Sequence, residues 1–175
     1  MCHESERQTG IHNCEVRAYR RLMQNGLGHQ GIVPRYYREI QHLDVKDYQP
    51  HLRRFLDEER PPSAIFLEYI PNMMTILPER YTKERIESMI HGIQQIHKAL
   101  VLHFDSYPRN IMVFEDDPGR VIWIDFDRAQ TYDADTITER NRRWIQEEEE
   151  DVHVFGESMK EDHALGKMWN TLPYY

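Results

Sequence analysis

VLHFDSYPRNIMVFEDDPGRVIWIDFDRA, residues Val101–Ala129, decides how the rest of the chain is arranged. Ile111–Phe114 is a short apolar run, Glu115-Asp116-Asp117-Pro118-Gly119 has turn chemistry, and Val121–Ile124 is a second apolar run. That pattern predicts a β-hairpin. An antiparallel pair sets its outer ends side by side. Asn110, just before the first strand, is therefore expected beside Asp125, just after the second, with His103 and Asp105 close upstream. One amide and two acids then converge. Such a set suits magnesium, which takes oxygen from one or two carboxylates and fills its other positions with water and phosphate oxygens.

Two motifs in this stretch resemble the protein-kinase-like superfamily. His103-Phe104-Asp105, with Asn110 five residues after the Asp, is similar to the catalytic loop of that superfamily, and Ile124-Asp125-Phe126-Asp127 to its metal-binding Asp-Phe-Gly element. The resemblance implies an α+β, protein-kinase-like fold. Residues 1–71 would form a reduced N-terminal lobe of a helix and a few strands, and residues 72–175 a mostly helical C-terminal lobe holding the catalytic-loop hairpin. It also implies roles and cofactors. Asp105 would accept the proton of a substrate hydroxyl, His103 would brace the loop, and Asn110 and Asp125 would hold magnesium with ATP as phosphoryl donor.

Departures inside the motifs narrow the resemblance. Phe104 and Tyr107 replace an Arg and a phosphate-contacting Lys of protein kinases, and Asp127 replaces the Gly, adding a carboxylate to the metal site. There is no long activation segment. These features look more like the small-molecule branch, the aminoglycoside- and choline-kinase-like phosphotransferases. Arg109 or Arg128 would then supply positive charge to phosphate, the plain alternative being an exposed arginine paired with surface acids.

The upstream part fits less well. Cys14, Ala18 and Leu22 lie on one row with Tyr19 and Met23 beside it, which predicts a helix from about Asn13, stopped by Asn25-Gly26. The resemblance makes Glu15 on this helix the partner of the phosphate-binding Lys. The alternative is a solvated carboxylate paired with Tyr19 or an arginine. Only fourteen residues precede Glu15, none of them Lys, and the first lysine is Lys46. A glycine-rich cradle is likewise missing, since Gly26, Gly28 and Gly31 follow the helix. Each lost charge-assisted contact is worth about 1.5–3 kcal/mol, so nucleotide binding is expected to be weakened or lost.

Elsewhere the pattern is plain. Residues 1–10 form a polar start. Gly31–Ile40 reads as extended, 41–60 as a charged loop or edge hairpin, and Ala64–Ile70 as a buried strand ended by Pro71. By resemblance Leu67–Pro71 is the hinge between lobes, with Glu68 among the nucleotide-binding positions. Thr82 caps a long amphipathic helix reaching Leu100, striped by Ile86, Met89, Ile90, Ile93 and Ile96. His91 and His97, six apart, do not share a face for a metal. A second long helix starts near Ile137, and Glu147–Asp151 is expected to be a solvated face. The aromatic tail Met168–Tyr175 is expected to pack back on the body.

Composition sets the outer bounds. A chain of 175 residues with net charge −8, from 30 acidic and 22 basic residues, argues against nucleic acid or an anionic membrane as the main partner. Two cysteines make no disulfide framework, no apolar run approaches a membrane span of roughly 18 residues, and the polar start shows no signal peptide. A cytoplasmic protein is expected. Three functions remain in view: a phosphotransferase acting on a small-molecule hydroxyl, a pseudokinase that binds a ligand or protein partner without turnover, and a pocket reused for acid–base chemistry with Asp105 as general base. The open side of the reduced N-terminal lobe suggests a homodimer or ligand burial there.

Overall fold

The computed structural model describes residues 4–58 and 61–166; the expected docking of the tail from Met168 and the residue Cys2 lie outside them. The order of elements is helix α1 (Glu4–Gln24), strands β1 (Tyr36–Ile40), β2 (Ala64–Leu67) and β3 (Met74–Thr75), and helix α2 (Lys83–Lys98). Strands β4 (Val101–Leu102), β5 (Ile111–Val113), β6 (Val121–Trp123) and β7 (Gln130–Thr131) follow, and helix α3 (Glu139–Leu165) closes the order. Among the described residues three α-helices and three small sheets make a mixed α+β architecture. Among the described residues no helix is long and apolar enough to cross a membrane.

The hairpin forms as its residues predict. Ile111 pairs with Trp123, Met112 with Ile122 and Val113 with Val121, and β3 adds itself to the outer side of β5. Two residues are too few to leave a periodic signal, so β3 was not expected. β1 and β2 pair antiparallel as a separate two-stranded sheet. Between them the charged stretch makes short 3-10 turns at Val45–Tyr48 and Arg53–Phe55 instead of an edge hairpin. Lys, Arg and Asp there supply no alternating apolar face to pair.

Helix α1 corrects the expected polar start. It already runs from Glu4, well before the apolar stripe that packs it, because nothing before Gly10 breaks a helix once the stripe has nucleated one. Its buried face is Ala18, Tyr19 and Leu22. At its other end Arg21 reaches across, donating to the Tyr132 carbonyl at 2.7 Å and to Asp133 at 2.6 Å, so the helix is tied to the segment after β7.

Helix α2 starts where Thr82 Oγ1 accepts from the Arg85 amide at 3.1 Å. It ends sooner than its apolar spacing suggests, since Leu100 takes a left-handed φ of 58° and turns the chain into β4. Met89, Ile93 and Ile96 are fully buried, each burial worth about 1.5–3 kcal/mol. Arg85 is buried as well, its guanidinium spent on the Phe114 and Arg80 carbonyls. One apolar core runs from Ala18 through α2 and the hairpin to Met159 of α3.

Gly92 lets α2 approach the hairpin. A Cβ there would come within 2.6 Å of Trp123 Nε1, and the indole is wholly buried with that nitrogen donating to the Met89 carbonyl. A Gly92→Ala variant gains helix propensity but forces a rigid ring to move, which costs about 1–3 kcal/mol. Its melting temperature is expected to fall by roughly 3–10 °C. An unchanged or raised value in a thermal melt would show that α2 and the hairpin do not pack this closely.

Candidate active site

Two short loops, one after β4 and one after β6, carry the chemistry. Pairing of β4 with β7, Val101 opposite Thr131 and Leu102 opposite Gln130, brackets both loops, and the Ile124 amide donates to the Asn110 carbonyl at 3.0 Å where the hairpin ends. The expected juxtaposition of Asn110 with Asp125 follows from that bond. Phe104 (φ 64°) and Asp125 (φ 65°) both hold left-handed backbone, which costs about 1 kcal/mol or more for a residue with a Cβ. The surrounding contacts must fix them.

Asp105 is buried and organised by its own loop. Asn110 Nδ2 donates to the Asp105 carbonyl at 2.9 Å and to its Oδ2 at 3.1 Å, and the Tyr107 amide donates to the same carbonyl at 2.8 Å. With its amide nitrogen so used, the oxygen of Asn110 is the atom left for a cation. Arg109 donates to Asp105 Oδ1, with its guanidinium 4.7 Å from the centre of the Tyr107 ring. The arginine expected on phosphate thus sits on the acid expected to be the base.

His103 lies beneath both loops, fully buried. Burial holds its pKa below the ordinary value, so the ring is neutral, and Nε2 must carry the proton because it faces the Ile124 carbonyl at 3.0 Å. Its ring packs on Phe126 at 4.6 Å, and Phe126 meets Tyr19 edge-on at 5.2 Å. This run of rings connects the catalytic loop, the Asp125 loop and α1.

Tyr19 thereby places Glu15, one turn earlier on the same face of α1. Glu15 does not pair with Tyr19 or an arginine. Its pKa is pushed up to about 7, first by burial and then by the charges of Asp125 and Asp127, with no positive charge among the described residues to offset them. Asp127 is raised in turn by burial and by Asp125. Asp125 is exposed. The three acids therefore crowd one another, with Arg128 offsetting part of the charge at Asp127 and no positive charge offsetting Glu15. Among the described residues no three His, Cys, Asp or Glu side chains already converge as a complete metal cage. Glu68 is occupied elsewhere, paired through both oxygens with Arg35 at 3.2 and 3.0 Å, and this pairing holds its pKa down.

The Glu15 shift has a measurable consequence. A carboxyl whose folded pKa of about 7 exceeds its ordinary 4.5 lends stability that is complete below about pH 4.5 and is lost as pH rises through 7. Between pH 5 and 8 the metal-free protein is therefore expected to lose melting temperature relative to Glu15→Gln, by a few degrees. Magnesium should restore more at pH 8 than at pH 5.5. Parallel melting curves for the two proteins across this range would refute the assignment.

Sequence reasoning missed Glu148. It sits in the acid run expected to be a solvated face, yet it is 7% exposed. Its Oε2 accepts from His97 Nε2 at 2.7 Å and from the His103 amide at 2.9 Å, and its Oε1 from the Phe104 amide at 2.6 Å. His97 is a buried partner of this acid. The signal was present in the sequence: Glu148 lies four residues before Val152 and seven before Phe155, on the buried stripe of α3.

Comparison with known proteins places the chain at the level of a family. The chain is 26% identical over 92 residues, 47% of its length, to the Serine/threonine-protein kinase RIM15 of Saccharomyces cerevisiae, and it spans only 5% of that protein. The family model for "Lipopolysaccharide kinase (Kdo/WaaP) family" matches residues 64–163, which include both motif loops and Glu148. That match covers more than half of the 175 residues, and the chain belongs to the lipopolysaccharide kinase (Kdo/WaaP) family, a kinase-like family within the protein-kinase-like superfamily.

Proposed function

We propose that the protein is a magnesium- and ATP-dependent phosphotransferase acting on a hydroxyl of a small molecule, as in the aminoglycoside- and choline-kinase-like enzymes. The observation that carries this reading is the Asp105–Asn110 pair beside the mutually repelling carboxylates Glu15, Asp125 and Asp127, only the last of which is offset by an arginine, Arg128. Asp125, the Asn110 oxygen and Asp127 would hold magnesium, which when bound neutralises charge on the phosphate oxygens. Asp105 accepts the proton as the hydroxyl oxygen attacks the γ-phosphorus and the bond to the β-phosphate oxygen breaks. His103 holds the loop through its bond to Ile124. Arg109 is half-exposed on a flexible stem and can turn to a phosphate oxygen, at the cost of leaving the buried Asp105 carboxylate without its ion-pair partner.

The family's name points to lipopolysaccharide, so sugar hydroxyls are the first acceptors to test. Purified protein with ATP and magnesium is expected to convert a sugar acceptor to a phosphomonoester, detected by mass spectrometry. A second reading, a pseudokinase that binds its ligand or a protein partner without turnover, is favoured by the Arg109 hold on Asp105 and by a Glu15 facing acids instead of a lysine. Magnesium-dependent ATP binding with no product from any acceptor in the panel would favour it.

A further inference from the structure

A cavity of about 500 Å³ opens between the loop after β4 and α3. It is lined by Phe104, Ser106 and Tyr107 from the loop and by Trp144, Glu147 and Asp151 from the helix, with Val154 at its edge. Asp105 is not part of its wall, because that carboxylate is turned to Arg109 and Asn110. The volume is that of a small-molecule site, not of a protein groove.

Its chemistry is selective. Phe104 and Trp144 stand edge-to-face at 6.4 Å and 73°, and Phe104 and Tyr107 remain 51% and 43% exposed although both are large and apolar. Arg140 lies 4.6 Å from the Trp144 centroid and Arg109 4.7 Å from that of Tyr107, so one face of each of these two rings already carries a guanidinium. Arg109 is neutralised by Asp105. Glu148 contributes only its floor, since both its oxygens are engaged. The side chains of Glu147 and Asp151, one turn apart on α3, make no ion pair or hydrogen bond among the described residues. Aromatic faces with unpaired carboxylates at the rim favour a cation over a neutral or anionic ligand.

We infer that this cavity is a second binding site, which takes a small organic cation bearing an ammonium or guanidinium group. The rings receive the cation's face, and Glu147 and Asp151 offset its charge. The site does not depend on nucleotide, so it stands or falls separately from the phosphotransferase reading.

The test is isothermal titration of the full chain with agmatine, which carries a guanidinium and an ammonium, against n-butylurea, an uncharged planar analogue. Agmatine is expected to bind with a Kd below about 1 mM. Binding should weaken roughly tenfold in the double variant Glu147→Gln, Asp151→Asn, and several-fold in Trp144→Leu. Both substitutions of the double variant are at exposed positions, and thermal melts of the variants check their folding. Magnesium–ATP titrations should be unchanged in the double variant. No binding up to about 10 mM, equal binding of n-butylurea, or undiminished binding by the double variant would overturn the inference. So would capture of a lysine-rich peptide by a protein that ignores agmatine.

Discussion

Replacing Glu148 by alanine is expected to lower the melting temperature by roughly 10 °C and to abolish any phosphoryl transfer. The side chain satisfies two backbone amides of the catalytic loop and His97 Nε2 from a buried position. Removing it strands three donors away from water, at a cost of about 3–5 kcal/mol, and a chain of this size loses roughly 2–4 °C per kcal/mol. The same bonds hold Phe104 in its left-handed backbone. Glu148→Gln keeps one acceptor oxygen but turns an N–H donor toward the others, so an intermediate loss is expected. Glu147→Gln, one residue away and exposed, should melt like the parent. If all three variants melted alike, α3 would not be organising the loop.

Asp105→Asn is expected to leave the fold intact and to lower turnover by a factor of about 10²–10⁴, the usual range for a lost general base. The substitution is nearly isosteric, and the Asn110 and Tyr107 bonds to the Asp105 backbone carbonyl remain. What disappears is the proton acceptor and the partner of Arg109. Acceptor phosphorylation, melting temperature and magnesium–ATP binding measured together separate these effects. A large fall in transfer with binding preserved supports the assigned role, and full activity in this variant would remove Asp105 from the mechanism. If ATP bound more tightly as well, Arg109 would be acting on phosphate once released.

Local chemistry explains what could be read in advance. The hairpin, the Thr82 cap and the meeting of Asn110 with Asp125 follow from turn residues, alternation and a cap separated by few residues, so the sequence contains nearly all the information needed. The position of Glu15 came from resemblance alone, and its real surroundings are set by the Tyr19–Phe126–His103 packing between segments far apart in the chain. In the acid run, composition hid the one residue that matters. Glu147, Glu148 and Asp151 are chemically alike, and only their phase against Val152 and Phe155 sends Glu148 inward. The pairing of Arg109 with Asp105 was equally hidden, because a long arginine side chain can reach several acids.

In the proposed mechanism the Asp105–Asn110 loop and the Glu15, Asp125, Asp127 cluster together bind magnesium and ATP. A thermal-melt titration of the purified chain with ATP, with and without magnesium, in the parent and in Asp125→Asn, tests it most directly. A rise in melting temperature that requires magnesium and is lost in the variant is expected, since a ligand that binds only the folded state stabilises it increasingly as its concentration exceeds Kd. No rise up to millimolar nucleotide, or the same rise in Asp125→Asn, would contradict it.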